Sequence, residues 1–115
     1  MFEELFEIAK NKLAGIDEPV VGFPEPQATV LFTYNKNFYV AVNDMDGFIC
    51  EELKGKNDTK IVHVLTMWKS GQIDLPSFQF RKALVALDQY NYDIDILLQG
   101  NDGYIIKKLW ETMPR

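Results

Sequence analysis

Residues 61–98 decide the fold, and they read, in order, IVHVLTMW (61–68), KSGQIDLP (69–76), SFQFRKALVALDQ (77–89), YNYD (90–93) and IDILL (94–98). The first and last of these segments are short apolar runs, the pattern of strands that are covered on both faces of a sheet. The third segment has the periodicity of a helix. A strand, a helix and a strand in this order predict two parallel strands joined by a crossover, and therefore an α/β protein.

The helix predicted over residues 77–89 has a recognisable start and a buried face. Either Asp74 or Ser77 can cap its N-terminus, and Pro76 suits its first turn, where no backbone donor is needed. Its apolar residues recur at helical spacing and form one stripe: Phe80, Ala83, Leu84 and Leu87. We expect this stripe to pack against the sheet.

The N-terminal part predicts a helix, a loop and a β-hairpin. Residues 2–14 are amphipathic, and residues 16–27 contain three prolines, which predicts a loop. The apolar runs Ala28–Tyr34 and Phe38–Asn43 are separated by Asn35-Lys36-Asn37, which predicts a tight hairpin. Neither run alternates cleanly, so both strands are expected to be buried on both faces.

Three shorter segments complete the predicted architecture. The pattern of residues 47–56 fits either a helix or a strand and does not decide between them. After a turn at Gly100–Gly103, Tyr104–Lys107 predicts a short edge strand and Lys108–Met113 a short helix. We therefore expect one domain over residues 1–115: an α/β fold with a mixed four- to five-stranded sheet and helices on both faces.

Charge and cysteine content exclude several classes of protein. The 115 residues include 12 Lys+Arg and 17 Asp+Glu, so the net charge is −5, which argues against nucleic-acid binding and leaves a basic protein as a partner. One cysteine, Cys50, and one histidine, His63, exclude an intrachain disulfide and a structural zinc site of four Cys/His ligands. The N-terminus is acidic and no apolar run approaches about 18 residues, so we expect a cytoplasmic protein with no membrane partner.

The order of the elements, together with a few short matches, resembles the cytidine deaminase family. That family carries a zinc ligand and a glutamate in a Cys-Ala-Glu element, where this chain has Cys50-Glu51-Glu52. Two further ligands come from a Pro-Cys-x-x-Cys element that opens the next helix, here Pro76 to Phe80, followed by Arg81. The strand, Gly-containing turn and Leu109-Trp110-Glu111 tail also look like the end of such an enzyme.

The departures from this pattern fall on the metal ligands. Ser77 and Phe80 occupy the positions of the two cysteine ligands, so Cys50 alone remains of three. Of the family's ribose-holding Asn-x-Glu, this chain keeps Asn43 and lacks the glutamate. Deamination of the usual kind needs a zinc-bound hydroxide. The resemblance thus implies a deaminase-like scaffold without the zinc site, a pseudoenzyme, and we expect no metal or other cofactor.

The first function class that fits is a non-catalytic protein-binding module. Residues 43–52 contain four acidic residues and no basic one: Asp44, Asp46, Glu51 and Glu52. A small acidic protein of this kind can neutralise a basic partner, as immunity proteins and inhibitors of nuclease toxins do, a comparison by size and charge only. A second acidic group, Asp93, Asp95 and Asp102, shares that edge of the sheet only if the strand directions allow it.

The second function class is a divergent nucleoside-binding protein or deaminase-like enzyme. Its pocket would be lined by Asn43, Cys50, Glu52 and Ser77, with Cys50 and Glu52 as the candidates for catalysis. Each residue also has an ordinary structural interpretation: Cys50 is a small buried side chain, and Glu52 belongs to a solvated helix face. The count of zinc ligands favours the binding module.

Overall fold

The structure is a computed structural model that describes residues 1–17 and 21–114, and part of the loop predicted at 16–27 lies outside these residues. The helices are α1 (Phe2–Ala14), α2 (Ile49–Gly55) and α3 (Phe78–Leu87), with 3₁₀ turns at Gln89–Asp93 and Leu109–Thr112. The strands are β1 (Gln27–Thr33), β2 (Phe38–Val42), β3 (Ile61–Trp68), β4 (Ile73–Asp74), β5 (Asp95–Gly100) and β6 (Gly103–Lys108).

The strands form one mixed sheet in the order β2-β1-β3-β5-β6, and β4 pairs with the end of β3. The pair β3 and β5 is parallel, with His63 opposite Asp95 and Leu65 opposite Leu97. All other pairs are antiparallel. The parallel pair expected from residues 61–98 is therefore confirmed, with α3 in the connection between its two strands.

Helices cover both faces of the sheet, as predicted. On one face α1 buries Leu5, Ala9 and Leu13 against β1, β3 and β5. On the other face α2 and α3 bury a second cluster that includes Leu53 and Phe80. Because the inner strands β1 and β3 face both clusters, their sequences lack the alternation of a half-exposed strand.

Several predicted boundaries and environments differ from the structure. The undecided segment 47–56 is the helix α2, and Ser77, rather than Asp74, caps α3, because Asp74 ends the unpredicted strand β4. The short β4 brings the sheet to six strands. The expectation that Phe38–Asn43 is buried on both faces is wrong, since β2 is the outer strand of the sheet and mostly half-exposed.

A buried carboxylate ties the hairpin to the end of α2. Asp58 is 3% exposed and accepts hydrogen bonds from Thr33 Oγ1 (3.1 Å), Asn35 Nδ2 (3.0 Å), Asn37 Nδ2 (2.9 Å) and the Tyr39 hydroxyl (2.8 Å). Burial opposes ionisation, but the four hydrogen bonds outweigh it, so the pKa of Asp58 is lowered. This network fixes the position of α2 relative to β1 and β2.

The described part of the chain contains no helix whose length and apolar composition would let it cross a membrane.

Candidate functional site

The N-termini of α2 and α3 meet at the end of the sheet where the family resemblance would place a zinc site. Gly47, just before α2, adopts a φ of +77° and lies against α3. A Cβ atom at Gly47 would come within 2.7 Å of the Ala83 Cβ, closer than such atoms approach each other. The Ser77 hydroxyl also donates a hydrogen bond to the Met45 carbonyl. The segment that precedes α2 is therefore in direct contact with α3 at Gly47 and at Ser77.

Asp44 holds the start of α2. Its carboxylate accepts hydrogen bonds from the amides of Gly47, Phe48 and Ile49, each at 2.9 Å. These amides precede or open a helix, where backbone donors lack partners within the helix. Asp44 is also one of the predicted partner-binding residues; in the structure its carboxylate makes these three hydrogen bonds within the chain and its side chain is half-buried.

The two other expected ligand positions are used for helix capping and core packing. Ser77 is the N-cap of α3, and its Oγ accepts a hydrogen bond from the Phe80 amide at 3.1 Å. The Phe80 side chain is 1% exposed and belongs to the core between α2, α3 and the sheet. Neither a capping hydroxyl nor a buried benzyl group is available to a metal ion.

Cys50, the one cysteine ligand retained from the family pattern, is a buried thiol. Burial, followed by the charges of Asp44 and Glu51, raises its pKa to about 11. In the absence of a metal ion, a thiol with this pKa stays protonated near neutral pH. Cys50 therefore has the properties of a small core side chain.

The residue set does not fit the zinc ion that the resemblance implies. Only Cys50 carries a ligating group, and Ser77 and Phe80 are committed to other contacts. Among residues 1–17 and 21–114, no three His, Cys, Asp or Glu side chains are arranged to hold a metal ion. We therefore derive no chemical step that requires zinc.

The four residues predicted to line one pocket do not share a cleft. Cys50 lines a cleft of about 410 Å³ between α2 and α3, whereas Asn43 lines a separate one of about 310 Å³ beside β2. Glu52 is exposed and, like Ser77, lines neither cleft. Asn43 Oδ1 accepts a hydrogen bond from the Gln27 amide at 2.9 Å, so this side chain ties β2 to β1.

An exposed acidic surface surrounds the start of α2. Three of the predicted partner-binding residues, Asp46, Glu51 and Glu52, are exposed there. None of their carboxylates lies within 4.0 Å of a lysine or arginine nitrogen in the part of the chain that the structure describes. Between them, Phe48 is 73% exposed and Met45 46%. These five residues are called the α2 surface below.

Sequence reasoning did not identify Phe48 and Met45 as surface residues. Both interrupt a run of acids, and an apolar residue inside such a run was the available signal. Residues 47–56 fitted a strand as well as a helix, and side chains alternate differently in the two. The sequence alone therefore did not predict whether Phe48 is exposed or buried.

The strand directions place the second acidic group, Asp93, Asp95 and Asp102, at two opposite ends of the strands. Strands β2, β3 and β5 run the same way, so Asp102, which follows β5, lies at the same edge of the sheet as the α2 surface. Asp93 and Asp95 precede or begin β5 and lie at the opposite edge. Asp95 is also paired with Lys108 Nζ at 2.8 Å.

Solved structures of cytidine deaminases are similar to this chain over nearly its whole length. The cytidine deaminase of Mycobacterium leprae has a TM-score of 0.72 and 15% identity, with 99% of this chain and 98% of that chain covered. The enzyme of Burkholderia pseudomallei has a TM-score of 0.71 and 9% identity, covering 99% and 97%. That of Mycobacterium tuberculosis has a TM-score of 0.69 and 13% identity, covering 98% and 94%.

No family model and no curated protein sequence matches the chain. The structural similarity establishes a cytidine-deaminase-like fold, and it confirms the distant resemblance predicted from the order of the elements. At these identities the similarity concerns the fold, so function has to be argued from the site.

Proposed function

We propose that this protein is a non-catalytic protein-binding module on a cytidine-deaminase-like scaffold, and that its partner is a protein with a basic surface. The strongest support is that two positions where the resemblance predicts zinc ligands have structural roles in this chain. Ser77 caps α3 and Phe80 fills the core, so the site that activates water in a zinc deaminase has no counterpart here. A scaffold that keeps its fold without its catalytic groups is available for binding.

The α2 surface supports the second part of the proposal. Phe48 projects from a rigid position, because Asp44 and the contact of Gly47 with α3 hold the backbone on either side of it. An exposed aromatic side chain within a polar rim is typical of the anchor at the centre of a protein interface. The surrounding carboxylates of Asp46, Glu51 and Glu52 favour a partner with lysines and arginines around an apolar pocket.

An immunity or inhibitor protein is the functional class that combines these properties. Acidic residues around an apolar anchor can both accelerate the encounter with a basic toxin and hold the complex. The net charge of −5 also attracts a basic partner. We place the protein in this class by the chemistry of its surface.

The test is an affinity capture with a charge-neutralised α2 surface. The unchanged chain and the triple variant Asp46→Asn/Glu51→Gln/Glu52→Gln are immobilised and exposed to extract of the native host. We expect a basic protein to be retained by the unchanged chain and lost with the triple variant. With the purified partner, the association rate should fall for the variant and its dependence on salt should flatten.

The matched control removes three charges from α1 instead. Glu3→Gln/Glu4→Gln/Glu7→Gln also neutralises exposed carboxylates in and near the first turn of a helix, so the change in net charge is the same. This control should retain the partner. Equal retention by both triple variants would contradict the assignment of the interface to α2.

The second function class is tested by calorimetric titration with cytidine in the presence of excess zinc. The proposal predicts no saturable binding. Saturable binding that is lost in both Cys50→Ser and Glu52→Gln would favour the divergent nucleoside-binding protein or deaminase-like enzyme.

A further inference from the structure

The outer edge of β6 is an unpaired strand with apolar side chains on both faces. β6 pairs with β5 along one side, and no strand in residues 1–17 and 21–114 pairs with its other side. Tyr104, Ile105 and Ile106 are 53%, 45% and 58% exposed. An edge strand of this kind readily pairs with another chain, and natural proteins usually protect such edges with charges, proline or bulges. In β6 three apolar residues, Tyr104–Ile106, precede Lys107 and Lys108, so no charged residue separates them.

The register of the sheet tells which backbone groups of β6 point outward. The Leu109 amide donates to the Ile94 carbonyl at 2.9 Å, so the pair Ile94–Leu109 is a hydrogen-bonded one. Hydrogen-bonded pairs alternate along an antiparallel ladder, and the register between β5 and β6 is continuous. Lys107 and Ile105 therefore bond to β5, whereas Tyr104 and Ile106 direct their amides and carbonyls to the free edge. The Lys108 amide points the same way but donates to Glu111 Oε1 at 3.0 Å.

We propose that β6 pairs with β6 of a second copy of this chain, antiparallel, about a two-fold axis through Ile105. Hydrogen-bonded pairs across the new ladder must join residues whose backbone groups point outward. With the axis at Ile105, Tyr104 of each copy faces Ile106 of the other copy. These two hydrogen-bonded pairs provide about four backbone hydrogen bonds. Ile105 faces its own counterpart as a non-hydrogen-bonded pair. The two sheets become one continuous sheet across the dimer.

Charge complementarity selects this register and this partner. An axis at Ile105 places Asp102 opposite Lys108 of the second copy at both ends of the ladder, beside the contact that Lys108 Nζ makes with Asp95 of its own chain at 2.8 Å. Pairing in the parallel direction would instead place Lys107 and Lys108 beside the same two lysines. The alternative antiparallel register, with its axis at Ile106, places Lys108 opposite Tyr104 and leaves Asp102 beyond the ladder.

The proposed interface is separate from the α2 surface and does not depend on the proposed function. β6 is the last strand of the sheet on one side, and α2 follows β2 at the other side. A dimer through β6 leaves both α2 surfaces exposed, so each copy can still bind a partner.

Cysteine cross-linking tests the axis directly. In the variant Ile105→Cys, the two thiols of the dimer lie across a non-hydrogen-bonded pair, whose Cα atoms are about 4.5 Å apart, within the range of a disulfide. Oxidised glutathione accepts the two electrons from the thiol pair and is released as two thiols, so most of this variant should become covalent dimer. Lys107→Cys points to the same face but is two residues from the axis, and it should remain uncross-linked, as should the unchanged chain with its buried Cys50.

Sedimentation equilibrium supplies the second measurement. The unchanged chain should have twice the chain mass of 13.3 kDa. Asp102→Lys, an exposed turn residue, should raise the dissociation constant at least about tenfold, because it places lysine opposite Lys108. A monomer at all concentrations, or cross-linking of Lys107→Cys as fast as Ile105→Cys, would overturn the proposal. Preferential cross-linking of Ile106→Cys would overturn the proposed axis.

Discussion

Replacing Phe80 by alanine tests whether a position where the family resemblance predicts a metal ligand carries part of the core. Its side chain is 1% exposed and packs in the cluster formed by α2, α3 and the sheet. Removing a buried phenylalanine costs about 3–5 kcal/mol, since transfer free energy is lost and a cavity remains. This is a large fraction of a free energy of unfolding of about 5–15 kcal/mol. With a denaturant slope of about 2 kcal/mol per molar urea, the unfolding midpoint should fall by about 1.5–2.5 M.

The assay is urea unfolding followed by fluorescence and circular dichroism, with Phe78→Ala as the control. Phe78 lies two residues earlier on the same helix, is 38% exposed, and contacts Arg81 and Lys82 through the face of its ring. Its replacement should cost less than about 1 kcal/mol, as surface changes usually do. A cost below about 1 kcal/mol for Phe80→Ala, or equal costs for the two variants, would refute the assignment of Phe80 to the core.

Three further predictions concern the buried and capping groups. Asp58 has a lowered pKa in the folded state, so its contribution to stability is present above the unfolded pKa of about 4 and is lost as pH falls through the folded pKa. Asp58→Asn should therefore make the free energy of unfolding less dependent on pH in that acidic range. The measurement is the urea midpoint as a function of pH. Asp44→Ala should lower the free energy of unfolding by about 0.5–2 kcal/mol, because the amides of Gly47, Phe48 and Ile49 lose their acceptor, whereas Asp46→Ala should change it by less than about 0.5, both read from chemical unfolding. Cys50, with a pKa of about 11, should react with iodoacetamide at pH 8 far more slowly in the folded chain than in 6 M guanidinium chloride, followed by mass spectrometry.

Local sequence patterns predicted most of the architecture. The apolar runs around His63 and Ile96, and the stripe that contains Phe80, each depend on neighbours within one element, and the structure has these elements in the expected order. Binary pattern and helix caps are sufficient where an element is long enough to show its period. The seven-residue helix α2 is too short for this, and the two-residue strand β4 has no period at all.

Contacts between distant segments could not be predicted in the same way. Asp58 gathers hydrogen bonds from residues 19 to 25 positions away, and no local pattern indicates such a network. The role of Asp44 was visible in principle as a helix cap, but only once α2 was known to be a helix. The pairing of Asp95 with Lys108 depends on the register of β5 against β6, which the sequence leaves open.

The central claim is that residues at the expected ligand positions of this deaminase-like scaffold do not fit a zinc ion, and elemental analysis tests that claim most directly. The protein is expressed with added zinc, purified without chelator and analysed for metal content, with Cys50→Ser as the control. The account predicts much less than one zinc per chain in both proteins, because Ser77 and Phe80 are committed to capping and packing. About one zinc per chain, lost in Cys50→Ser, would contradict the account and would favour the alternative of a deaminase-like enzyme.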